Sequence, residues 1–234
     1  MQKNPVKIPL AQRTRTLILV SDSKGCRLQR IVERSEPENS IVWCCKGGRN
    51  SYQAANYIIE NLEYFVRKYG QILIAVWTGT CDLTQFSCRS KRYIDLNHIT
   101  VEDIISQYQK IITATVKYGS KVKLVFLECP QYSIAIWNET KGHPNFENFK
   151  NNTNILLSRI IELNTAIREL NTKNGVSAPK FSLDLVKSRK SNKSYITEKV
   201  TYSLLTDGIH PCMTLCRYWL RRIVHSLMLA HCYA

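Results

Sequence analysis

Apolar and polar positions along this chain fall into two kinds of block. The first kind is an apolar run of strand length, seen at residues 16–20, 41–45, 72–77 and, interrupted by Lys123, 122–127. A run with no polar face suits a strand covered on both sides, as in a parallel sheet. The second kind repeats its apolar residues at helical spacing. From a cap at Asn50 or Ser51, residues Ala55, Ile58, Ile59, Leu62, Phe65 and Val66 share a face as far as Lys68, and Gly70 stops the helix. Thr100 with Asp103 forms a capping box that opens a helix to about Tyr118. Between about 153 and 171, Ile155, Leu156, Ile160, Ile161, Leu163, Ile167 and Leu170 turn inward. A shorter helix over 23–33 keeps Leu28 and Ile31 inside, and a final helix runs from about 213 to 230. Residues 181–185 read as a fifth strand, whereas 85–97, 130–149 and 187–199 read as loops. Strands alternating with helices predict a mostly parallel sheet of five strands with helices on both faces.

In such sheets function gathers beyond the carboxyl ends of the strands. The first strand runs straight into Ser21-Asp22-Ser23-Lys24, which places a serine at its tip. Near the other end stands Asp207-Gly208-Ile209-His210-Pro211. A serine hydroxyl needs a base, and the base needs a carboxylate to orient it. Ser23, His210 and Asp207 supply that set, and only a folded domain could unite them. A serine after a strand can also be a helix cap, and so can Asp207 before the last helix. Gly48 and Gly79-Thr80-Cys81-Asp82 also follow strands and should reach the same edge.

The 234 residues, 44% of them hydrophobic, suit one domain over 15–234 behind a basic arm at 1–14. Met1 to Arg15 lacks an apolar stretch with a cleavage site, and no run is long enough to span a membrane. The nine cysteines, an odd number, then read as reduced thiols of an intracellular protein. Cys212, Cys216, His210, His225 and His231 lie on or beside one apolar helical stretch, so no metal site is assigned, and no cofactor is called for. The net charge of +15 favours an anionic partner, either nucleic acid or an anionic membrane surface. Its candidate contacts are Lys187, Arg189, Lys190, Lys193, Arg217 and Arg221.

The order of these motifs resembles the SGNH hydrolase (GDSL esterase/lipase) superfamily, over nearly the whole chain. Ser21-Asp22-Ser23 matches the first block, with Ser21 at the usual glycine. Gly48 looks like the second-block glycine, with Gly47 as another register. Gly79-Thr80-Cys81-Asp82 matches the third block, with Cys81 in place of asparagine, and Asp207-Gly208-Ile209-His210 matches the last. Trp77 to Thr84, with Glu128-Cys129-Pro130, also resembles SGNH-type domains of animal transposable-element proteins, including non-LTR retrotransposons. The resemblance implies a flavodoxin-like three-layer α/β/α sandwich and a serine esterase acting on acyl or acetyl esters. Ser23 would be the nucleophile, His210 the base and Asp207 its orienting acid. The oxyanion hole would be built from Ser23, Gly48 and Cys81, and a thiol there is a weak donor. Trp77, Thr80 and Trp137 are candidate substrate contacts, with core packing an equal account of either tryptophan. The alternative is a catalytically weak or inactive module that binds through its basic surface.

Overall fold

The computed structural model describes residues 12–33, 37–87, 90–190 and 196–233. Its centre is a parallel four-stranded sheet in the order β2-β1-β3-β6, formed by β1 (Thr16–Ser21), β2 (Val42–Cys45), β3 (Ile72–Trp77) and β6 (Val122–Phe126). Every residue of β1 and β3 is buried, as the unbroken apolar runs require. The intervening helices are α1 (Ser23–Gln29), α2 (Ser51–Tyr69), the single turn α3 (Thr80–Leu83) and α4 (Val101–Thr115). Later come α5 (Ile134–Thr140), α6 (Lys150–Lys173) and α7 (Met213–Ile223). α1 packs against α7, α2 packs against α4, and α6 lies against α4 and β6. The chain therefore has helices on both faces of a parallel sheet.

The start signals read from the sequence hold. Asn50 caps α2 in a capping box with Gln53, Thr100 caps α4 with Asp103, and Gly70 ends α2 at φ 71°. Three expectations change. Residues Phe181–Leu185 form a 3-10 turn and not a fifth strand. The buried Glu128 carboxylate accepts hydrogen bonds from Ser182 N (3.1 Å) and Ser182 Oγ (2.5 Å), and Phe181 stacks on Trp77 at 4.8 Å, so the segment folds over the sheet end instead of extending along it. The stretches read as loops at 85–97 and 187–199 contain antiparallel hairpins, β4 (Thr84–Ser87) with β5 (Ser90–Leu96) and β7 (Val186–Lys190) with β8 (Ile196–Val200). The excursion after β6 contains α5.

At the carboxyl end of β6 and just beyond it, side chains take the place of a neighbouring strand. Asn171 of α6 accepts from Phe126 N (2.9 Å) and donates to Phe126 O (2.7 Å). Asn164, two turns earlier, does the same for Cys129 N and O, each at 2.8 Å. A carboxamide offers the donor and acceptor of a peptide group, so these asparagines satisfy buried backbone groups of Phe126 and Cys129.

Candidate active site

β1 has β2 on one side and β3 on the other, so the chain steps outward from β1 to β2 and then crosses back to β3. The carboxyl end of β1 is therefore a switch point, where open α/β sheets form crevices. Ser23 stands there as the first residue of α1. The cap of that helix is Asp22, whose Oδ1 accepts from Lys24 N at 2.9 Å. The Ser23 hydroxyl is thus free of capping duty.

Residues 206–211 form a turn before α7, which begins at Met213 behind Cys212. Asp207 is therefore not the cap of that helix. Its Oδ1 accepts from Ile209 N (3.2 Å) and His210 N (2.8 Å), while Thr206 N donates to His210 O at 2.8 Å. Gly208 takes φ 82°, and a Cβ there would lie 2.9 Å from Ile136 Cβ and 3.0 Å from Trp137 N. Only glycine lets the turn press this closely on α5. Ser133 N, at the cap of α5, donates to Gly208 O at 2.9 Å and locks the two together.

The turn and the strand tip meet. His210 Nε2 lies 3.1 Å from Ser23 Oγ, and His210 Nδ1 lies 2.8 Å from Asp207 Oδ2. Burial pulls the Asp207 carboxyl up, but hydrogen bonds from the His210 ring and from backbone N–H groups outweigh it and hold the pKa at about 2. A permanent carboxylate on Nδ1 leaves Nε2 as the acceptor facing the serine. This chain of contacts can draw a proton from Ser23 and return it.

Around it, Gly48 follows β2 at φ 78° with open space where a Cβ would stand, and Gly47 is not in that region. The Ser23 N–H, in the first helical turn, has no acceptor within its own helix. Cys81 sits on α3, where burial and the Asp22 carboxylate push its thiol up to about 12. It is a neutral thiol at physiological pH and no nucleophile. Asp82 accepts from Ser51 N (2.9 Å), Ser51 Oγ (2.6 Å) and Gly79 N (3.1 Å), which fastens the loop after β3 to the start of α2.

The tryptophans separate. Trp137 is half-buried beside His210, with ring centroids 5.8 Å apart, and its Nε1 donates to Arg92 O at 3.0 Å. Trp77 is fully buried, stacked on Phe181 and edge-on to Trp219 at 5.4 Å, with Nε1 donating to Glu128 O at 2.9 Å. It is a core residue and walls no surface pocket. Thr80 is also buried, and its hydroxyl accepts from the Lys24 ammonium at 2.5 Å. Nothing in the local sequence marks Lys24, because a lysine beside a serine ordinarily points to solvent.

The basic candidates lie elsewhere. Arg217 and Arg221 are exposed on α7, and Lys187 is exposed on β7 directly opposite Lys199 of β8. Arg189 and Lys190 belong to β7, while Lys193 and residues 1–11 of the basic arm lie outside the described residues. No helix among the described residues is long and apolar enough to cross a membrane.

No family model and no curated protein matches the sequence. Solved structures do match. A putative acylhydrolase from Bacteroides fragilis superposes with a TM-score of 0.64 at 13% identity, over 97% of this chain and 91% of that one. A GDSL-like lipase from Bacteroides thetaiotaomicron gives 0.61 at 14% identity, over 92% and 89%. A lipase/acylhydrolase from Enterococcus faecalis gives 0.56 at 16%, over 91% and 94%. The fold is that of the SGNH hydrolases. Among the described residues the central sheet has four strands, one fewer than the sequence pattern suggests.

Proposed function

We propose that the protein is a serine esterase that hydrolyses acyl or acetyl esters through an acyl-enzyme on Ser23. The supporting observation is the unbroken hydrogen-bonded chain Ser23–His210–Asp207 at the switch point of the sheet. In the first half-reaction His210 Nε2 accepts the hydroxyl proton as Ser23 Oγ attacks the ester carbonyl. The tetrahedral oxyanion is held by the N–H groups of Ser23 and Gly48. The imidazolium, stabilised by Asp207, then gives its proton to the departing alcohol. Water repeats the sequence on the acyl-enzyme and releases the acid.

The third donor of the family is the asparagine amide, and Cys81 replaces it with a thiol. Loss of one such donor costs about 10²–10³ in turnover, so a slow esterase is expected. Trp137, beside His210, forms one wall for the bound ester. The direct test is hydrolysis of p-nitrophenyl acetate by wild type and Ser23→Ala. Turnover should vanish in the variant while its melting temperature is kept; equal rates in both would refute the proposal.

A second reading is a binding module of the kind found in transposable-element proteins, using the basic surface on nucleic acid or an anionic membrane. The observation favouring it is Lys187 paired directly with Lys199 on the β7–β8 ribbon. Like charges opposite one another destabilise a ribbon, and an anionic partner would relieve that repulsion.

A further inference from the structure

A lysine in a core is rare unless its charge is matched. Lys24 is 2% exposed and its partner Asp22 0%. The ammonium donates to Asp22 Oδ2 at 2.5 Å and to Thr80 Oγ1 at 2.5 Å, and lies 5.6 Å from the centre of the Trp77 ring. Burial pulls its pKa down, but the Asp22 carboxylate outweighs burial and the pKa ends above the ordinary lysine value, so the group is a permanent cation. A buried ion pair adds little stability by itself, since an apolar pair of the same shape commonly does as well or better. The place of this pair is therefore informative. Lys24 directly follows Ser23, and Thr80 directly precedes Cys81. The ammonium thus bridges the turn that carries the nucleophile and the turn that lacks the amide. Its charge also reaches the Cys81 thiol, whose ionisation it favours against burial.

We propose that Lys24 compensates for the missing amide at position 81, as a positioning residue that holds the Ser23 and Cys81 turns together through a buried ion pair with Asp22 and a hydrogen bond to Thr80. It touches no substrate, and it acts through the Asp22 and Thr80 contacts and a water-excluded interior where charge is weakly screened. The proposal rests on the esterase reading.

A merely structural Lys24 and a compensating one differ in how they couple to position 81. The pair is neutralised in the double variant Asp22→Asn/Lys24→Met, in which the new carboxamide can still cap α1. That change is made with and without Cys81→Asn, and kcat and KM for p-nitrophenyl acetate are measured alongside melting temperature. In the Cys81 background neutralisation should lower kcat by about tenfold or more at nearly constant KM; in the Cys81→Asn background the loss should shrink to about threefold or less. No loss, or the same loss in both backgrounds, overturns the compensating role. If the double variant does not fold, Thr80→Val, which keeps both charges and the side-chain shape, goes through the same cycle, and the same outcomes support or overturn the role. Wild-type turnover that survives Ser23→Ala would overturn the esterase reading and this proposal together; Ser23-dependent turnover without coupling overturns this one alone.

Discussion

The Ser23 hydroxyl is unreactive until something takes its proton, and the residues that set this up act through single contacts. Asp207 is the firmest of them. Its folded pKa of about 2 lies below the ~3.9 of a free aspartate, so the fold favours its ionised form. The stability this adds is complete above about pH 4 and is lost as pH falls toward 2. On acidification kcat/KM should fall, because the proposed base His210 must be neutral to take the serine proton; a rate that did not fall would argue against that role. Asp207→Asn should lower kcat by about 10⁴ with little change in KM, the cost this exchange carries in serine proteases when the imidazole tautomer is lost. A drop of less than tenfold would mean that Nδ1 needs no anion. At position 81 the sign reverses: Cys81→Asn restores an amide donor and should raise kcat by about tenfold or more. A slower Cys81→Asn enzyme would show that the thiol, and not its absence of an amide, suits this site.

At the scale of elements, side-chain amides complete what strands would otherwise do. Asn171 serves the last residue of β6, Asn164 serves Cys129 just beyond it, and Asn138 of α5 serves Ile94 of β5 in the same way, with contacts of 2.9 Å to its N and O. Asn171→Leu keeps the branched shape of the side chain but removes the amide, and leaves Phe126 N and O unpaired in a buried place. It should cost roughly 1–3 kcal/mol for each group left without a partner, read as a lower denaturation midpoint; an unchanged midpoint would show that these groups find other partners. These substitutes explain where the sequence pattern was legible and where it was not. Apolar runs and caps at Asn50 and Thr100 mark β1, β3, β6, α2 and α4 by local rules alone. The asparagines look like ordinary polar positions in an amphipathic helix. Phe181–Leu185 has the composition of a strand, but its fate depends on Glu128 and Trp77, far away in sequence. The ribbons 84–96 and 186–200 are short and polar, so the period-two signal is weak. Strand tip and motif order single out Ser23, Asp207 and His210 as candidates, and the structure brings the three within hydrogen-bond reach; the burial of Lys24 is a tertiary fact with no local trace.

At the scale of the whole molecule, the net charge of +15 is much larger than the triad's chemistry needs. Exposed Arg217 and Arg221 on α7 and Lys187 and Lys199 on the ribbon are part of that excess. If this surface serves an anionic partner, binding to single-stranded RNA or to vesicles containing phosphatidylserine should weaken steeply between about 50 and 200 mM salt. Binding that is absent at low salt, or indifferent to salt, would remove the second reading. Ser23 at the tip of β1 and the turn before α7, nearly a chain length apart, are proposed to make one reactive group. The most direct measurement is the rate of covalent labelling by a fluorophosphonate, followed by intact mass, for wild type and Ser23→Ala. One adduct per chain is expected, located on Ser23, formed more slowly at acid pH and absent from the variant. An unlabelled wild type, or a variant that labels equally, would contradict it.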